Sequence, residues 1–210
     1  MTMRDVRRST LALAVLSLLY EEPMHPYRMQ LLIKQRHKEA VINVRLRSSL
    51  YQTIDRLQRA GLIAVQETEK ADNRPERTIY RLTSEGEATA RQWLREMLAR
   101  PVNEYPEFPA ALSFMPILSA EESLSLLTLR AEALATEIAN IDHKLSAVGP
   151  WLPRLFILEV DYQRTVMCAE HQWLQTVIAD LQTGDLHWDE VWLEQQKEPP
   201  EEVMRALGRM

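Results

Sequence analysis

The side chains best suited to chemistry gather in one stretch, residues 45–63: Arg45-Leu46-Arg47-Ser48-Ser49-Leu50-Tyr51-Gln52-Thr53-Ile54-Asp55-Arg56-Leu57-Gln58-Arg59-Ala60-Gly61-Leu62-Ile63. At about 100° per residue, Leu50, Ile54 and Leu57 fall on one side of a helix and Gln52, Arg56 and Arg59 on the other. One face suits a core and the other a polyanion. Arg45 and Arg47 stand at the entrance, where the helix dipole and free N–H groups favour phosphate. Ser49 and Gln52 have the spacing of a capping box, which marks a start, and Gly61 supplies a stop. An ordinary amphipathic surface helix would carry the same pattern, so the neighbouring elements must decide.

Other reactive groupings are sparse. Cys168 and His171 lie one helical turn apart, a thiol beside an imidazole, but no third group orients them and helical spacing makes such pairs by chance. The five histidines, at 25, 37, 143, 171 and 187, form no H-x-x-x-H or Cys/His cluster, so no metal site is expected. None of the five glycines belongs to a phosphate-binding run. Neither an enzyme nor a cofactor is expected.

With 46% hydrophobic and 26% charged residues, the chain has the composition of a folded globular protein. Its single cysteine excludes an internal disulfide. The longest apolar run, 11–19, is about half of the ~20 residues a bilayer crossing needs. Tyr20-Glu21-Glu22-Pro23 follows it where a signal peptide would place small residues, so a cytoplasmic protein is expected. A net charge of −5 hides an asymmetry: residues 1–100 sum to +6 and residues 101–210 to −11. Only the first half is suited to a polyanion.

Residues 9–21 begin at a cap-type Ser9 or Thr10, are apolar nearly all round, and end before Pro23. A second helix runs from Pro26 to Arg36 with Met29, Leu32 and Ile33 inward. After the helix at 45–63 the period becomes alternating through residues 63–68, and a charged loop at 69–76 leads to a second strand at 77–82, making a β-hairpin. Thr83 or Ser84 then caps a helix to about Arg100 that buries Ala88, Trp93, Leu94 and Met97 or Leu98. Three helices, two strands and a helix are the order of a winged helix-turn-helix, with 45–63 in the recognition position and the hairpin as the wing.

Residues 9–100 resemble the N-terminal domain of the PadR family of bacterial transcriptional regulators. Three stretches carry the resemblance: Leu11-Ala12-Leu13-Ala14-Val15-Leu16 with His25-Pro26-Tyr27-Arg28-Met29; Ser49-Leu50-Tyr51-Gln52-Thr53-Ile54-Asp55-Arg56-Leu57 with Gly61-Leu62-Ile63; and Asn73-Arg74-Pro75-Glu76-Arg77 with Tyr80-Arg81-Leu82-Thr83 and Gly86. The chain departs from the family's pattern at Asn73 and Pro26, where glycine is usual, and at Gln52, where proline is frequent.

Beyond residue 100, Pro101, Pro106, Pro109 and Pro116 mark an extended connector over 101–119. Leu124, Leu127, Ala131, Leu134, Ile138, Ile141, Leu145 and Val148 keep a 3-4 spacing, and residues 149–153 force a turn. A second stripe of Leu155, Leu158, Tyr162, Val166, Ala169, Trp173, Val177 and Leu181 runs up to Gly184. The predicted organisation is a winged helix-turn-helix domain (1–100), the connector, an antiparallel helical hairpin (120–184) and a C-terminal segment (185–210), mainly α overall. A two-helix hairpin of this length cannot bury both seams, so it should form a homodimer, with Leu124, Leu127, Leu134, Ile138, Ile141, Leu145, Tyr162, Val166 and Val177 at the contact.

The resemblance implies a repressor that binds double-stranded operator DNA. Two recognition helices about 34 Å apart would read a pseudo-palindrome. Gln52, Ser48, Ser49 and Arg56 are the candidates for base edges, since glutamine pairs bidentately with adenine and arginine with guanine. Tyr51, Tyr27, Arg45 and Arg47 are candidates for phosphates, and Arg74 and Arg77 would reach DNA from the wing. The resemblance also implies release by a small aromatic or toxic effector, with Trp93, Phe108, Phe114, Trp151, His171 and Trp173 as candidate linings. Plain core packing is the bland alternative for each aromatic residue. The competing reading of the whole chain is a helical adaptor that binds another protein through its acidic half.

Overall fold

A computed structural model of the chain describes residues 8–42, 47–69, 77–148, 151–189, 191 and 194. It divides into two units, Met1–Asn103 and Glu104–Met210. In the first, α1 (Thr10–Glu21) starts where the Ser9 hydroxyl accepts from the Ala12 N–H at 3.1 Å. Helix α2 (Pro26–Gln35) starts where His25 Nδ1 accepts from the Arg28 N–H at 3.1 Å, with Pro26 at a position whose missing N–H costs nothing. Arg36, at the end of α2, pairs in two-pronged fashion with Glu21 at the end of α1. That hydrogen bonding holds the Glu21 carboxyl below its ordinary range.

Helix α3 (Arg47–Arg59) packs Leu50, Ile54 and Leu57 into the same core as Val15, Leu16, Met29 and Ile33. Its end has the geometry expected of Gly61, which sits at φ +76 while its N–H bonds Gln58 O and the Leu62 N–H reaches back to Leu57 O. Its start differs from expectation. Ser49 is the third residue of the helix, so it cannot act as the N-cap, and its carbonyl instead accepts from the Thr53 hydroxyl at 2.8 Å.

The hairpin pairs β1 (Ile63–Glu69) with β2 (Arg77–Leu82) antiparallel, with a bulge between Val65 and Glu67. A third short partner joins it, since Met24 and Tyr80 exchange both backbone hydrogen bonds at 3.0 and 3.1 Å. A single paired residue leaves no alternation to read in a sequence.

Helix α4 (Ser84–Ala99) is capped by Thr83, whose hydroxyl accepts from the Gly86 N–H at 3.0 Å. It buries Gly86, Ala90 and Trp93, whereas Ala88, Leu94, Met97 and Leu98 are exposed, contrary to expectation. The small residues set the face, because Gly86 must lie against the backbone at Leu62. A Cβ on Gly86 would come within 2.0 Å of Leu62 O.

The second unit is helical. Residues 107–113, expected to be extended, form α5 (Glu107–Ser113), and Pro109 is tolerated because it falls in the first turn, where its N–H would have no intrahelical acceptor. Long helices α6 (Ala120–Val148) and α7 (Leu158–Thr183) pack on each other around Leu127, Ala131, Leu174 and Ile178. The buried pair on α7 lies one residue beyond the expected Trp173 and Val177, about 100° around the helix. Leu155, Leu158, Tyr162 and Val166 of the expected stripe are exposed. Trp188 anchors the following segment, its indole N–H donating to Leu118 O at 2.8 Å. Among the described residues, no helix is long and apolar enough to cross a membrane.

Replacing Gly86 with alanine should destabilise the first unit by roughly 3 kcal/mol, the upper end of ordinary overpacking. Urea unfolding followed by circular dichroism measures it; a change within about 0.5 kcal/mol, as at an indifferent surface site, would contradict the close approach.

Candidate nucleic-acid interface

Helix α3 is divided lengthwise. Leu50, Thr53, Ile54 and Leu57 are all buried, and this face fixes the rotation of the helix about its own axis. The remaining surface must point outward, and there Ser48, Gln52, Asp55 and Arg59 are exposed, with Tyr51 at 50% exposure. A run of hydroxyl, amide, carboxylate and guanidinium groups on an immobilised helix can donate to and accept from the edges of a ligand with many hydrogen-bonding groups.

Two of the four base-edge candidates stand differently from their expected placement. Ser49 is half-buried. Arg56, expected on the outer face, lies at the flank of the buried stripe and is half-buried, with its Nη2 3.4 Å from the Ser9 hydroxyl. Its Nε is buried with no hydrogen-bond partner among the described residues. The guanidinium thus ties α3 to the cap of α1, a contact that helical periodicity cannot foresee because it carries no information about what lies beside the helix.

Tyr27, at the start of α2, is 58% exposed and stacks on His25 with ring centroids 6.1 Å apart. Arg45 and Arg74 lie outside the described residues. Arg47 and Arg77 are located by their backbones, at the first residue of α3 and of β2. Behind the helix, Tyr80 is half-buried; burial, with smaller contributions from Asp55 and Tyr51, pushes its phenol above the ordinary tyrosine range. This tyrosine, on the strand that also pairs with Met24, is a neighbour of the outward face that the sequence did not flag.

Trp93 belongs to the core of the first unit. Phe108 and Trp173 meet in the second unit, edge to face at 6.2 Å. His171 lines a separate groove with Glu132 and Gln175, and Phe114 and Trp151 are 67% and 86% exposed. Of the expected dimer contacts, Leu127 and Ile141 are buried within the chain itself, leaving them no surface to offer another copy. Leu124, Leu134, Ile138, Leu145 and Val177 are partly buried, while Tyr162 and Val166 are open.

Arg56→Ala should lower stability by about 1 kcal/mol through loss of the link to Ser9, while Gln52→Ala, fully outward, should change it by less than about 0.5 kcal/mol. Chemical denaturation of the two variants side by side tests this; the reverse order would place Arg56 in solvent.

The comparisons with known proteins agree with this geometry. Residues 15–92 match the model of the transcriptional regulator PadR-like family. Among solved structures, Bacillus subtilis PadR in complex with operator DNA superposes with a TM-score of 0.65 at 20% identity, covering 82% of this chain and 99% of that one. The same protein in complex with p-coumaric acid gives 0.65 at 18% identity, over 83% and 99%. The Vibrio cholerae virulence activator AphA gives 0.62 at 19% identity, again over 83% and 99%. No curated protein matches the sequence. At these identities the structural likeness speaks to the fold, and it spans the winged helix and the helical C-terminal region alike. Residues 15–92 are thus the part of the chain that is similar to the transcriptional regulator PadR-like family.

Proposed function

We propose that the chain is a sequence-specific DNA-binding regulator, a repressor that holds a pseudo-palindromic operator as a homodimer and is released by a small aromatic or toxic effector. The observation that carries the DNA-binding reading is the division of α3, whose Leu50, Ile54 and Leu57 are at most 1% exposed while Gln52 and Ser48 stand open on the other side. A helix fixed in this way presents the same edge to every ligand, as readout in the major groove requires. Gln52 would pair with adenine and Ser48 would add a single hydrogen bond. Arg45, Arg47, Tyr27 and Tyr51 would hold phosphates, with Arg74 and Arg77 reaching from the wing. The net +6 of residues 1–100 favours the same partner.

The repressor sense and the effector rest on likeness to Bacillus subtilis PadR, whose structures include complexes with operator DNA and with p-coumaric acid. Support for a homodimer comes from α7, where Tyr162 is 70% exposed and Val166 and Leu158 are nearly half exposed along one side, with Leu155 in the turn just before the helix also 70% exposed. Apolar rows of that extent usually meet another protein surface.

A gel shift with the DNA upstream of the chain's own gene is the direct test, and a retarded band at nanomolar protein is expected. Arg47→Ala and Arg74→Ala should weaken binding to every sequence and reduce the salt slope by about one each. Gln52→Ala should instead alter preference at one base pair, by about 1–3 kcal/mol. Absence of retardation, or arginine variants with unchanged affinity and slope, overturns the assignment. Sedimentation should give a dimer at micromolar concentration; a monomer would remove the pseudo-palindrome.

A further inference from the structure

Three helices of the C-terminal unit converge on one aromatic floor. The Phe108 ring from α5 meets Trp173 from α7 with planes at 81°. Over the face of Phe108 lies the Arg130 guanidinium from α6, its Cζ 3.6 Å from the ring centroid. Arg130 Nε donates to Glu170 Oε1 at 2.6 Å. These groups border an open cavity of about 640 Å³, walled by Leu112 and Val166 and edged by Glu107. That volume is in the range of small-molecule sites.

A guanidinium is itself a planar, delocalised monocation, so its position reports what this ring face attracts. Two carboxylates, Glu107 and Glu170, oppose the one cation at the border. The sequence from residue 101 onward adds a field from its net −11. A carboxylate ligand would enter against both; a cation gains from both. The Arg130 side chain is 39% exposed, so it can turn toward solvent, whereas Glu170, at 26%, stays behind as a counter-charge.

We propose that this pocket binds a planar organic monocation of the N-alkylated heteroaromatic kind, which takes the place of Arg130 over Phe108 and pairs with Glu170. The proposal names the ligand class of the effector-responsive regulator described above and rests on that reading for its regulatory meaning. Ligand and Arg130 compete for one ring and one carboxylate, so binding exchanges an internal cation for an external one.

Isothermal titration of the full chain with two ring-matched probes, 1-methylquinolinium and 1-naphthoate, is the test. The cation should bind and the anion should bind at least about tenfold more weakly. Glu170→Gln should weaken the cation by about tenfold, the scale of one charge-assisted contact. Phe108→Leu should abolish binding, and Arg130→Met should tighten it by removing the internal competitor. Circular dichroism checks each variant for folding; should Phe108→Leu or Arg130→Met not fold, Glu170→Gln and Trp173→Phe decide, the latter also removing the cation's quenching of Trp173 emission. No heat with the cation, equal affinity for naphthoate, or unchanged affinity in both Glu170→Gln and Trp173→Phe overturns the site. The gel shift separates the two readings: DNA binding without cation binding overturns the pocket alone, and cation binding without DNA binding overturns the regulator and leaves the pocket.

Discussion

The close approach of Gly86 to Leu62 is the contact on which the geometry of the first unit depends. At this junction the end of the third helix, the root of the hairpin and the start of the fourth helix meet within a few atoms. The Thr83 hydroxyl lies 2.8 Å from Gly61 O and 2.9 Å from Leu62 O while accepting from the Gly86 N–H. The Thr83 N–H adds a further bond to Leu62 O. One small polar side chain therefore caps α4 and satisfies carbonyls that the left-handed turn at Gly61 leaves over. Only a residue without a Cβ allows the two backbones so near, and the direction of the wing relative to α3 follows.

That junction fixes one end of α3, and Arg56 fixes its flank. The guanidinium reaches the Ser9 hydroxyl, which already serves as the cap of α1. A helix held at its end, along its buried stripe and at one flank loses its freedom to roll. Preorganisation of this kind lowers the entropic cost of presenting Ser48, Tyr51 and Gln52 in one arrangement. The two units thus differ in character. The first gathers its buried apolar side chains in one core and leaves the polar edge of α3 open, while the second leaves an apolar row on α7 and an aromatic, acid-rimmed cavity exposed.

Much of the first unit was legible because its signals are local. Ser9, Pro26, Gly61 and Thr83 announce helix ends through hydrogen bonding and backbone preference that need no distant partner. The face of α3 was legible because Leu50, Ile54 and Leu57 form its only apolar stripe. Legibility failed where two stripes compete. On α7, Trp173 and Val177 have the same spacing as Leu174 and Ile178, and only the position of α6 decides that the latter pair is buried while Val177 is partly buried and Trp173 is 44% exposed. On α4, large apolar side chains at 94, 97 and 98 looked like core, yet the need for close backbone contact at Gly86 turned a face of small residues inward.

The sequence by itself determined the order of elements, the winged-helix arrangement and the outward amide and hydroxyls of α3, because each follows from periodicity, caps and motif spacing within a few turns of chain. Tertiary structure alone decided that Arg56 links helices, that Met24 pairs with Tyr80, and that Phe108 meets Trp173 edge to face. The physical reason is the same in each case. Contacts between residues 47, 56 or 65 positions apart carry no local signature, and they exist only once packing has set the rotation of each helix.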